Sequence, residues 1–324
     1  MPTVAPLDLD GHCVTAAFLG DIPFFALADG MVHWLDHGQK SVKLHEGLLS
    51  ATITAKSDLM ISGGEDGKVM SLASSGVTQE LAELGRKWIT SIACGPQGAI
   101  AYASGRNAYV RFADGKVKEF AHPRSVEGIA FSPKGMRIGV ARYNGATLHF
   151  PAADGKPTEL EWAGAHTGIT FSPDGNFLVT TMQENALHGW KLVDGKHMRM
   201  SGYPAKVKSM SWSAKGKWLA SSGAPAAIVW PFQSKDGPMG KAPLELGTRG
   251  NMMVSAVACH PADDIAAIGY ADGMVLAARF ADQKEVLLRR PGKGAITSMA
   301  WDKEGRRVAF GSETGDCGVI DIAG

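Results

Sequence analysis

Short runs of the form aliphatic, any, small apolar, any, bulky recur along the whole chain, each followed by a four-residue turn. ITSIAC precedes GPQG, VEGIAF precedes SPKG, HTGITF precedes SPDG, KVKSMSW precedes SAKG, VSAVAC precedes HPAD and ITSMAW precedes DKEG. Aligned on the bulky residue, the runs place Phe18, Ile53, Cys94, Phe131, Phe171, Trp212, Cys259 and Trp301 at spacings of 35 to 47 residues. Three positions earlier the chain is always small: Thr15, Ser50, Ser91, Gly128, Gly168, Ser209, Ala256 and Ser298. A strand with solvent on one side would alternate apolar with polar residues. These strands are apolar or small on both faces, as in sheets stacked between neighbours.

A second apolar run follows each turn, as in NFLVTT, KWLASS, DIAAIGY and RRVAFGS. A tight turn comes next, carrying Asp29-Gly30, Asp66-Gly67, Asn144-Gly145 or Asp272-Gly273 in four units, dipeptides that tolerate positive φ. A third strand (MVHWL, KVMSL, ALHGW, AIVW, MVLAARF) and a more polar fourth (SVKL, VKEF, PTEL, PLEL, EVLL) complete the unit, the fourth suiting an uncovered outer edge. The last unit stops after its third strand, GVIDIAG, while an orphan extended segment, VAPLDL, precedes the first. The pattern therefore predicts an all-β fold: one closed β-propeller domain over residues 1–324, with eight four-stranded blades and seven as the alternative count. The amino-terminal strand is expected to complete the last blade.

Composition narrows the class. With 45% hydrophobic and 20% charged residues and a net charge of +1, the chain is globular and lacks the charge excess of a dedicated nucleic-acid binder. Basic residues are countered by nearby acids and form no continuous run, which disfavours nucleic acid. The start has no basic n-region followed by an apolar run, and no segment approaches the roughly 20 apolar residues of a membrane span, so a cytoplasmic location without membrane association is expected. Cys13, Cys94, Cys259 and Cys317 form no CxxC pair and are read as reduced structural thiols.

The order of elements resembles the WD-repeat family: a Gly-His element, a strand and turn of the V-x-S-V-x-F-S-P-D-G kind, an Asp-bearing turn, and a strand ending in Trp-Asp. Gly11-His12 and His166 match the first element, His45 and His122 match it loosely, and SPKG and SPDG match the turn. Trp34, Trp190 and Trp230 occupy the Trp position, which other units fill with Ser71, Arg111, His149 and Ala277. The resemblance implies a protein-interaction scaffold, with partners on the face formed by fourth-to-first and second-to-third strand loops. It also implies a buried His-Asp-Ser-Trp network, for which the first unit, with His12, Asp29 and Trp34, is the best candidate.

No P-loop, dinucleotide fingerprint, HExxH, GxSxG or paired CxxC is present. Adjacent donors Cys259-His260 have poor metal spacing, and the recurring histidines are read as structural, so no metal, cofactor or catalytic residue is assigned. Mapped onto the resembled face, the candidate partner-binding residues are Arg86, Lys87, Trp88, Arg106, Arg124, Arg142, Tyr143, Tyr203, Arg249 and Met252. Arginine and aromatic side chains supply much interface energy and methionine adapts to varied apolar surfaces, which suits a peptide or protein partner with acidic and apolar groups. The competing reading is a propeller enzyme, a hydrolase or lyase with or without a metal, using residues gathered at a central channel.

Overall fold

A computed structural model describes residues 2–322. The described strands form seven hydrogen-bonded antiparallel sheets, six of four strands and one of six. They divide between two compact units, Lys43–Gly202 and a discontinuous one of Met1–Val42 with Tyr203–Gly324. No helix among the described residues is long and apolar enough to cross a membrane.

In the Lys43–Gly202 unit, the second sheet is built from Leu48–Ile53, Leu59–Gly64, Lys68–Ala73 and Thr78–Glu83. The third follows with Ser91–Cys94, Ile100–Ser104, Asn107–Arg111 and Val117–Ala121. The fourth has six strands, from Val126–Phe131 through Ile138–His149, Thr158–Phe171, Phe177–Met182 and Ala186–Lys191 to His197–Met200.

The expected eight separate sheets are thus corrected to seven. The repeat units centred on Phe131 and Phe171 share one sheet because Thr158–Phe171 runs unbroken from the fourth strand of one into the first strand of the other. Its two halves pair differently: Thr158 to Ala165 face Ile138–His149, whereas His166 to Phe171 face Phe177–Met182. Ile138–His149 likewise pairs backward up to Arg142 and forward from Tyr143, reversing at Asn144 (φ 65°) and Gly145 (φ 128°). A Cβ on Gly145 would fall on the Leu160 carbonyl oxygen, so only glycine fits there.

In the other unit, the first sheet runs Cys13–Leu19, Ile22–Leu27, Met31–Leu35 and Gln39–Lys43. The fifth contains Met210–Trp212, Trp218–Ser221, Ala227–Pro231 and Leu244–Leu246, and the sixth Val254–Cys259, Ile265–Tyr270, Val275–Arg279 and Glu285–Arg289. The seventh contains Ile296–Trp301, Arg307–Ser312 and Asp316–Asp321. Its outer strand is supplied by Thr3–Asp8, which pairs antiparallel with Asp316–Asp321 from Thr3 opposite Asp321 to Asp8 opposite Asp316.

The core lies between successive sheets. Ile61 and Val69 meet Ile92 and Ile100 between the second and third sheets, and Ala101 and Val110 meet Ile129 and Val140 between the third and fourth. In the other unit Val229 meets Val257 and Ile268, Ala256 meets Val308 and Phe310, and Ala309 meets Ala16 and Phe25. The fourth strands of the first, second, third and sixth sheets are mostly exposed, as their polar sequences predicted, whereas Leu160 and Leu246 of the PTEL and PLEL strands are buried.

The small position of each first strand has a role beyond packing. The Ser91 hydroxyl accepts from the Ile129 amide at 3.2 Å, Ser209 from Val257 at 3.1 Å and Ser298 from Ala16 at 2.9 Å, each bond crossing to another sheet. At Gly128 the approach is closer still, a Cβ there lying 3.0 Å from the Thr167 carbonyl oxygen.

Candidate binding face

Turn geometry decides which loop residues of the Lys43–Gly202 unit reach solvent. Gly67 (φ 77°) lets the 84–89 segment close onto the Asp66-Gly67 turn, since a Cβ would collide with the Gly85 carbonyl oxygen. The Leu84 amide donates to Gly67 at 2.9 Å and the Ile89 amide to Gly64 at 3.0 Å, and Ile89 is fully buried. The residues between are turned outward: Arg86 and Lys87 are exposed, and Trp88 exposes 55% of its surface.

The following loop repeats the device. The His122 amide donates to Arg106 at 2.9 Å and the Val126 amide to Gly105 at 2.8 Å, which buries Val126 and leaves Arg106 and Arg124 exposed. Among the described residues Arg86, Lys87, Arg106 and Arg124 have no acidic partner. Tyr143, 51% exposed, stands at the next turn.

Beside Tyr143 lies a cleft of about 610 Å³ lined by Pro123, Arg124, Asn144, Glu161 and Trp162, with the Arg142–Glu159 pair in its wall. Arg142 is only 9% exposed. Its Nε donates to the Thr147 hydroxyl at 2.9 Å, Nη1 to the Tyr143 carbonyl at 3.0 Å, and Nη2 to Glu159. It therefore shapes the turn that presents Tyr143. Trp162, absent from the expected residues, stacks on His188 at 4.1 Å and offers an edge to the cleft. Its position just before the Gly-His element was the available signal.

The three candidates in the other unit are held by their own sheets. Tyr203 is 7% exposed, accepts from Trp230 Nε1 at 2.6 Å and donates to Ser221 Oγ at 2.6 Å, and burial pushes its phenol up to about 12. Arg249 pairs with Asp272 at 3.2 Å and lies over the Tyr270 ring at 5.0 Å. Met252 packs on the core formed by Val254, Ile268 and Tyr270. The structure brings Arg86, Lys87, Trp88, Arg106, Arg124 and Tyr143 to exposed turns, and it places Arg142, Tyr203, Arg249 and Met252 in supporting contacts.

The hydrogen-bond network expected in the first sheet is absent there: His12 is exposed, and Trp34 Nε1 is buried without a partner. Cys13, not His12, occupies the register position that His166 fills in the fourth sheet. Its His-Asp-Ser part is instead found in the second sheet, where His45 Nδ1 lies 3.0 Å from Asp66 and Nε2 lies 2.8 Å from the Ser62 hydroxyl, while Ser71 stands at the Trp position. Burial pulls His45 below the usual imidazole range, against the opposing pull of Asp66. A neutral ring then donates to Asp66 and accepts from Ser62, which is a structural task.

His166 contacts the Thr180 hydroxyl at 2.7 Å and the Trp162 carbonyl at 3.1 Å, while the His122 and His149 Nε2 atoms lie 3.2 Å apart. Cys259 donates its thiol to the Ser211 carbonyl, and His260 Nδ1 accepts amides of Ala262 and Asp263 while Nε2 donates to Gly305. Among the described residues no group of three or more His, Cys, Asp or Glu is placed to hold a metal.

Residues 257–324 match the anaphase-promoting complex subunit 4 WD40 domain family, a segment outside the Lys43–Gly202 unit. Curated proteins give no match to the sequence. Among solved structures, the computationally designed Ika8 protein is similar, with a TM-score of 0.77 and 18% identity over 97% of this chain and 98% of that one. At that identity the likeness concerns the fold alone.

Proposed function

We propose that the chain is a divergent WD-repeat β-propeller, and that it is a non-enzymatic scaffold binding an acidic and apolar peptide or protein segment on the turns between residues 86 and 143; the match of residues 257–324 to a WD40 family supports the first part. The carrying observation is that Trp88 and Tyr143 are half exposed on turns whose cations, Arg86, Lys87, Arg106 and Arg124, lack acidic partners among the described residues. Aromatic side chains fixed by stapled loops lose little freedom on binding, and unpaired arginines favour carboxylates. Glu159 and Glu161 beside the cleft make the surface mixed, which suits a partner carrying a basic or hydroxyl group next to its acids. The uniform repeat from Phe18 to Trp301 supports reading residues 1–324 as one domain.

Two further parts of the reading have physical support. The histidines that resemble catalytic candidates are engaged in buried contacts, which favours binding over hydrolysis or elimination chemistry. The four cysteines are free, and the Cys13 and Cys317 thiols lie side by side in the core, which suits a reducing compartment and a cytoplasmic location.

The test is site-specific photocrosslinking in the native cell, with benzoylphenylalanine at Trp88 or Tyr143 and, as control, at the exposed Val193 on the opposite turns. A stoichiometric protein adduct is expected at the first two positions and not at the control, and it should be lost on combined Arg86→Ala, Arg106→Ala and Arg124→Ala. Equal adducts at all three positions, or recovery unchanged in the triple variant, reject this face.

A further inference from the structure

The second and third sheets enclose a cleft of about 520 Å³ at their first-to-second strand turns, the end away from Trp88 and Tyr143. Its wall is mainly carbon: Leu59, Ile61 and Leu81 on one side, Ala99 and Ile100 on the other. The turn at Pro96–Gly98, where Gln97 takes φ 56°, borders it.

Strand register explains why this space is open. In the fourth sheet Phe171, Leu178 and Trp190 stand in cross-strand line, and Trp190 is buried against Leu148 and Leu160 of the preceding strands. The same line in the third sheet is Cys94, Ile100 and Arg111. Two large rings are thus replaced by a thiol and an arginine, so the slot that an indole fills in one sheet is left unfilled in the other. Packed interiors rarely leave such a volume vacant, and about 300–1,000 Å³ with few polar groups is the usual form of a small-molecule site.

Arg111 supplies the polar group. Its Nε donates to the Leu81 carbonyl at 3.1 Å and Nη1 to the Phe112 carbonyl at 3.4 Å, which fixes the guanidinium plane in the cleft wall. Nη2 has no hydrogen-bond partner and the side chain no carboxylate partner among the described residues. Asp58, the acid on the cleft wall, is held by the Thr54 hydroxyl within its own turn, and Lys56 stands beside it. Burial pushes the Cys94 thiol up to about 12, so it adds no negative charge.

We propose that this cleft is a binding site for a planar aromatic carboxylate of about indole size, its ring between the two sheets and its carboxylate on Arg111. A fixed guanidinium with free donors matches a carboxylate in shape and charge, and a flat ring matches a slot between stacked sheets.

The test titrates the full chain with indole-3-carboxylate, indole and acetate by calorimetry and ligand-detected magnetic resonance. Indole-3-carboxylate is expected to saturate and to bind at least about tenfold tighter than indole, and acetate not to bind. Arg111→Met should reduce the acid to the level of indole. Arg111→Trp, which restores an indole to the slot, should abolish binding of both, and Ser71→Phe fills the slot from the second sheet if the first variant folds poorly. No saturable binding up to about 5 mM, equal affinity for acid and indole, or binding retained in the folded blocking variants overturns the assignment.

Discussion

Trp230, Tyr203 and Ser221 form a relay in which each group donates to the next, and Ser221 passes its proton donor to the Ile228 carbonyl at 3.0 Å. Tyr203→Phe keeps the ring and breaks the relay at its centre, leaving a half-buried indole N–H unpaired. A loss of about 1–3 kcal/mol in urea unfolding is expected, and a change under about 0.5 kcal/mol would show the relay to be energetically idle. His188 is the opposite case: fully buried beside Trp162 and Trp190, with neither ring nitrogen hydrogen-bonded. Burial, reinforced by His166, His197 and Arg199, pulls its pKa down to about 3, and the same first cause takes His149 to about 4. Below pH 6.5 the unfolded chain takes up protons that the folded one refuses. The stability these neutral rings contribute is therefore complete above pH 6.5 and lost as pH falls toward 3. His188→Phe should flatten that acid limb in unfolding titrations between pH 6.5 and 4 and leave the protein no less stable at pH 7; an unaltered limb would assign it to other groups. Recurrence in the repeat pointed to structural histidines, which fits the buried His45, His122 and His166 and not the exposed His12. Which of them would form the network was not legible, because His12 and His166 differ by one position in strand register, and a one-residue offset sends a side chain to the other face.

Strands and turns were the most legible level, since apolar runs, Asp-Gly turns and polar fourth strands mark boundaries found in the sheets, whereas Asn144-Gly145 reverses the chain inside Ile138–His149. Smallness at Ser91, Ser209 and Ser298 was legible as packing, whereas their hydroxyl bonds to another sheet depend on a partner 38 or 48 residues away or, for Ala16, near the other end of the chain. Ser209→Ala and Ser298→Ala should each cost about 1 kcal/mol while leaving the β-sheet circular dichroism unchanged, and no cost would reduce these positions to space-filling. The sharing of one sheet by two repeat units was not legible, because it requires only that the chain at Glu161 to Ala165 continue extended, and WAGA carries no signal against a break. The Asn144-Gly145 reversal is the point where that sheet is most constrained. Gly145→Ala combines an unfavourable φ with a collision against Leu160, so a loss of at least about 2 kcal/mol is expected, together with increased proteolysis near residue 144. Native protease resistance in that variant would show that the turn can be rebuilt.

At the scale of the whole chain, the candidate face divides according to what sits beneath each loop. Arg86, Lys87, Trp88, Arg106, Arg124 and Tyr143 lie on turns closed by backbone bonds, so their side chains are free; Tyr203, Arg249 and Met252 follow a segment whose own apolar core captures them. Sequence places a residue in a loop, but only packing decides whether it faces water. The pairing of chain start with chain end is the long-range feature that sequence did announce, through an orphan strand at one end and a missing one at the other. Thr3–Asp8 covers the backbone edge of Asp316–Asp321, and Leu7 adds an apolar contact to the core of Cys13, Phe25 and Cys317. Deleting residues 2–9 would expose that edge and remove the Leu9 amide bond to Gly315, without touching any residue of the Lys43–Gly202 unit. An exposed apolar edge recruits strands from other molecules, so concentration-dependent association in sedimentation and a lower melting temperature are expected. Because the photocrosslinking positions Trp88 and Tyr143 lie outside the altered unit, adduct formation there should survive in whatever monomer remains. A deletion variant that stays monomeric with its melting temperature intact would show that the terminal strand is an ornament to the seventh sheet and not its edge protection.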